Sequence, residues 1–165
     1  MLQRIQSVYL TLVFVFTGLA IFIPLGTFEV SPLGIEALRQ ASQIPLKITG
    51  PVLPEIFQPL IEKSNLSIVL LIFSFGIMVL SVFTIFQFKK RRLQIQVCKF
   101  MILLLVGYVV TSFSFIEHYK GFLTEMTFSH GAGVFLPLAS MILVLLTIRS
   151  IKKDELLVRS ADRIR

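Results

Sequence analysis

Residues 64–88 read SNLSIVLLIFSFGIMVLSVFTIFQF, and the next four, Lys89-Lys90-Arg91-Arg92, are all basic. Twenty-five residues without a charge, at 1.5 Å per helical residue, exceed what a hydrocarbon core of about 30 Å requires. After the basic cluster a second charge-free run follows, Phe100–Ile116. The connection, about Lys89 to Gln96, is short, which predicts two antiparallel helices lying side by side. Outward from this pair lie two further uncharged runs, Ile5–Phe28 and Gly131–Ile148. The reading is an all-α membrane protein: a four-transmembrane-helix antiparallel bundle with spans near residues 5–25, 65–88, 97–116 and 131–149.

Composition agrees with that reading. Of 165 residues 55% are hydrophobic and 15% charged, and most of the apolar excess sits in the four runs. Little remains for a separate water-soluble core, so the chain is one integral membrane domain over residues 1–165. The formal charge of +7 does not indicate nucleic acid, because the basic residues flank spans, where they meet anionic headgroups and resist translocation. Their distribution sets orientation. Arg4, the second gap (Lys89, Lys90, Arg91, Arg92, Lys99) and the tail (Arg149, Lys152, Lys153, Arg159, Arg163, Arg165) hold twelve of the sixteen; Arg39, Lys47, Lys63 and Lys120 are the others. Positive residues stay inside, so both termini are expected in the cytoplasm. The first span is read as a retained helix: it lacks small residues at a cleavable spacing around Ile21–Gly26. Cys98, the single cysteine, is read as a small packing residue.

The loop 26–64 is long for a structureless connection, which predicts a small extracytoplasmic cap. Thr27-Phe28-Glu29-Val30 and Leu46-Lys47-Ile48-Thr49 alternate like half-exposed strands. Gly34–Gln40 has the composition of a brief helix, and Ile56, Phe57, Leu60 and Ile61 suit the outer membrane surface. The third gap, Glu117–His130, reads as a modest polar connection. Pro137 predicts a kink in the fourth span. The tail 150–165 places Ile151, Leu157 or Val158, Ala161 and Ile164 near one face of a continuing helix.

Chemistry-bearing groups are scarce. The middles of the spans hold no Asp, Glu, Lys, Arg or His, which argues against a self-sufficient ion-coupled transporter. Gly107, Thr111 and Ser114 share a face of the third span, and Ser74 and Ser81 one of the second, a spacing suited to helix packing. His118 and His130, with Glu117 and Glu125 nearby, lie at outer span ends without metal-motif spacing. No phosphate loop, nucleophile elbow or paired-cysteine motif occurs. Catalytic residues, metal and cofactor are therefore expected to be none. The candidate contacts to a partner or to anionic headgroups are Lys89, Lys90, Arg91, Arg92, Lys152, Lys153, Arg159 and Arg163.

The segment Thr84–Cys98, the tail from Ile148 to Arg165 and the opening Met1-Leu2-Gln3-Arg4-Ile5-Gln6 resemble domain-of-unknown-function family 4293, small four-span proteins of the bacterial inner membrane. The resemblance implies a bacterial cytoplasmic membrane and four helices. It implies no activity, and no catalytic or binding residue carries over. The leading expectation is a non-enzymatic scaffold or accessory subunit of a larger membrane assembly. The alternatives are a small oligomeric carrier or pore lined by Thr111, Ser112 and Ser114, and a bis-histidine haem protein.

Overall fold

The computed structural model describes residues 3–30, 43–51, 65–87, 90–122 and 126–162. The expected helix at 34–40, the surface segment at 56–61, Lys89, Glu125 and Arg163 lie outside them. Four helices carry most of the described chain: α1 (Gln3–Phe22), α2 (Leu66–Phe86), α3 (Arg91–Phe122) and α4 (Phe135–Asp162). Each includes an apolar stretch long enough to cross a membrane. A small antiparallel sheet accompanies them: β1 (Gly26–Val30), β2 (Gln43–Lys47), β3 (Gly50–Pro51) and β4 (Met126–His130).

The first helix stops where its chemistry dictates. Ile23 N–H still donates to Leu19 O at 2.9 Å, but Pro24 has no amide proton to continue the ladder. Leu25 N–H then donates to Leu46 O at 2.7 Å, handing the chain from helix to sheet. At the other end of α2 the turn is tighter than the spacing of apolar residues indicates. Lys90 N–H donates to Gln87 O at 3.0 Å, and Gln94 N–H already donates back to Lys90 O. So α3 starts at Arg91 and runs 32 residues, well outside the estimated span 97–116. The reason is propensity: Arg, Leu and Gln are good helix formers, and a helix need not end where the lipid does.

The sheet corrects the expected cap in two respects. Strand order is β3-β2-β1-β4, so the first loop supplies three strands and the third gap, read as a polar connection, supplies the fourth. Phe28 stands opposite Phe128, their ring centroids 4.9 Å apart. Met126-Thr127-Phe128-Ser129-His130 does alternate, and pairing with β1 satisfies its backbone groups. The second strand lies earlier than 46–49, at Gln43–Lys47. Ile48 and Thr49 form the turn that returns to Gly50, whose φ of 121° suits glycine.

Helix α1 packs against α2 and α4, and α3 against the same two. The interior is apolar: Leu10, Val13, Leu70, Ile77, Met101, Leu105 and Val144 are fully buried. The outward faces are equally apolar, with Val15, Phe75, Val79, Leu103, Val110 and Ile142 exposed. An exposed apolar belt on every long helix is unfavourable in water and favourable in lipid. Near the sheet, Gly131 and Gly133 donate to Leu25 O (2.8 Å) and Pro24 O (3.1 Å). A Cβ on Gly133 would sit 2.6 Å from Pro24 O, so this approach requires glycine. Pro137, read as a kink, is the third residue of α4. First-turn amides have no intrahelical acceptor, so the proline costs no hydrogen bond there.

Candidate functional site

The basic end of the helices brings Gln6, Arg91, Gln94 and Asp154 together. Three elements meet there: the start of α1, the α2–α3 turn and the last third of α4. Along α4, Ile148, Ile151 and Asp154 follow one another at three-residue intervals, and all three are buried. That spacing keeps them on one helix face. The buried face therefore continues beyond the apolar run and takes in a carboxylate. Gln6 of α1, itself buried, donates through Nε2 to Asp154 Oδ2 at 2.5 Å. Arg91 Nη1 donates to the Asp154 carbonyl oxygen at 3.3 Å. Gln94, 3% exposed, donates to Thr84 O at 3.3 Å and ties the start of α3 to the end of α2. Asp154 Oδ1 is buried with no hydrogen-bond partner among the described residues.

Beside this clamp an open groove of about 560 Å³ is lined by Lys90, Arg91, Arg92, Leu93, Gln96 and Glu155. Three cations and one carboxylate share it, so its field is positive. Such a groove suits a phosphate or a carboxylate, with Glu155 able to accept a hydrogen bond from a hydroxyl or an ammonium. Lys152 and Lys153 are exposed on α4 and do not line the groove. Arg159 belongs to the same helix. Of the tail's expected apolar face, Ile151 is buried, while Leu157, one of two candidates for the next position, is 50% exposed, as is Leu156 at 67%; Ile164 lies outside the described residues. Asp154, with its partner Gln6, holds the buried position instead.

The hydroxyl and glycine positions separate into different environments. Gly107 faces Phe73 of α2, whose Cζ would lie 3.1 Å from an added Cβ. Thr111 donates to Gly107 O, and Ser74 to Leu70 O, each within its own helix. Ser114 is exposed and bonds Val110 O. Ser81 reaches across to another helix, donating to Leu10 O of α1 at 2.6 Å. At the sheet end His130 is exposed and packs edge-on against Phe128, while His118 stacks edge-on with Tyr119. Lys120 pairs with Glu117 at 2.8 Å. Among the described residues no group of three or more His, Cys, Asp or Glu comes together.

Charge runs made Lys90, Arg91 and Arg92 visible in the sequence. Gln6, Gln94 and Glu155 carry no local signal that marks them as site residues. The one hint was Asp154 itself, an acidic residue three positions past the inward-facing Ile151.

A small sheet at one end, a basic groove at the other and four long apolar helices between them define a class: mostly helical proteins whose four helices are long and apolar enough to cross a membrane. The particular family follows from comparison with known proteins. The model of the family described as Domain of unknown function (DUF4293) matches residues 2–164, and the chain belongs to that family. No curated protein and no solved structure matches it.

Proposed function

We propose that this protein is a non-enzymatic scaffold or accessory subunit of a larger assembly in the bacterial cytoplasmic membrane. The four helices form an antiparallel bundle, with both termini and the basic turn in the cytoplasm and the sheet outside. The observation that carries the reading is the docked tail. Asp154 and Ile151 hold the end of α4 against α1 and the α2–α3 turn, and this leaves Lys152, Lys153, Leu156 and Leu157 exposed. Two exposed leucines beside two lysines, held on an ordered helix, suit a protein partner with an apolar and acidic surface. Purification from native membranes in mild detergent is expected to recover a stoichiometric partner that is lost in the variant Leu156→Ser/Leu157→Ser. A chain that isolates alone across several detergents overturns the proposal.

An oligomeric carrier or pore draws less support from the geometry. Ser112 is buried and bonds Val109 O, whereas Ser114 is exposed, so the hydroxyls assigned to a pathway occupy two environments. For the bis-histidine haem alternative, an absorbance scan of the purified protein is the decisive measurement.

A further inference from the structure

We infer that the basic groove is a binding site for one anionic glycerophospholipid with a hydroxyl-bearing headgroup, its acyl chain lying along the outer face of α3. The inference rests on the membrane reading above and adds a defined lipid site to it.

The helix face leading out of the groove carries the argument. At 100° per residue, Arg92, Gln96, Lys99, Phe100, Leu103, Val106 and Val110 fall within one arc of α3, about 120° wide. Every one of them is exposed. The arc is cationic and polar at Arg92, Gln96 and Lys99, then purely apolar from Phe100 to Val110. A lipid has the same order of chemistry from headgroup to tail. The rise from Phe100 to Val110 is about 15 Å, close to the half-thickness of a hydrocarbon core. A soluble acidic peptide in the groove would leave this apolar continuation unused.

The groove itself selects the headgroup. Lys90, Arg91 and Arg92 against the single Glu155 leave an excess of two positive charges, which favours an anionic lipid over a zwitterionic one. Arg presents paired donors suited to phosphate oxygens. Gln96 offers an amide to the headgroup, and Glu155 accepts from its hydroxyls. Leu93 forms an apolar wall.

The test uses the purified full chain in mild detergent, titrated with phosphatidylglycerol or phosphatidylethanolamine and read by native mass spectrometry. One phosphatidylglycerol per chain is expected to bind, with phosphatidylethanolamine about tenfold weaker. The variant Lys90→Gln/Arg92→Gln should lose about tenfold or more in affinity for phosphatidylglycerol. Lys152→Gln/Lys153→Gln removes the same charge outside the groove and should leave binding unchanged. All four side chains are exposed, and an unchanged melting temperature verifies that each variant folds. Equal losses in the two double variants, or equal occupancy by the two lipids, indicate diffuse charge attraction and overturn the site. Displacement of the lipid by excess glycerol phosphate overturns the lipid assignment in favour of a soluble phosphate. Because the purified chain is used alone, failure to find a protein partner leaves this result standing.

Discussion

Asp154 shows how much one buried group can organise. A carboxylate withdrawn from water costs free energy unless it is hydrogen-bonded, and its partner here is 148 positions away, at Gln6. The pair closes the basic end of the molecule by joining the first helix to the last. Gln6→Ala removes the donor and leaves the buried carboxylate unsatisfied, a loss of about 1–3 kcal/mol or more for a charged group. Asp154→Asn keeps an acceptor for the Gln6 amide and removes the buried charge, so it is expected to cost less. Thermal unfolding of both variants in the same detergent checks the order; a smaller drop for Gln6→Ala would mean the bond does not hold the tail. Arg91, Lys90 and Arg92 could be found in the sequence because like charges in a run are conspicuous. Gln6 could not, since an isolated glutamine near a helix start is ordinary until its partner is known.

At the scale of elements, the helices follow from local rules and the sheet does not. Uncharged runs, Pro24 and the basic turn mark where α1 and α2 stop. The ends of α3 and α4 extend past the apolar runs because good helix formers continue them, which a count of apolar residues does not register. Strand β4 alternates on its own, but only pairing with β1, across almost a hundred residues, makes it a strand. The register sets Thr27 opposite Ser129, and directly paired antiparallel residues have Cα atoms about 4.5–5.5 Å apart, within disulfide range. Thr27→Cys/Ser129→Cys, in a Cys98→Ala background, is therefore expected to cross-link under mild oxidation and shift on a non-reducing gel. The one-residue offset Phe28→Cys/Ser129→Cys places its side chains on opposite faces and should not. Cross-linking of the offset pair alone would displace the register.

For the whole molecule, the apolar belt and the asymmetric charges make a joint prediction about placement in the membrane. Thr49 is exposed at the sheet end and Lys90 at the basic end. With Cys98 buried, a cysteine at Thr49 should react with a membrane-impermeant thiol reagent in intact cells. One at Lys90 should react only after permeabilisation. The reverse pattern, or labelling of both from outside, overturns the orientation set by the basic residues. The sequence by itself determined the four helices, the basic turn and the expected sidedness. Each rests on hydrophobicity and charge counted over neighbouring residues, and the lipid acts on those directly. Tertiary structure alone decided that Asp154 is buried on Gln6, that β4 completes the sheet, and that Glu155 joins Lys90, Arg91 and Arg92 around one groove. These depend on contacts between residues far apart in the chain, where the free energy belongs to the pair and neither residue's type announces the other.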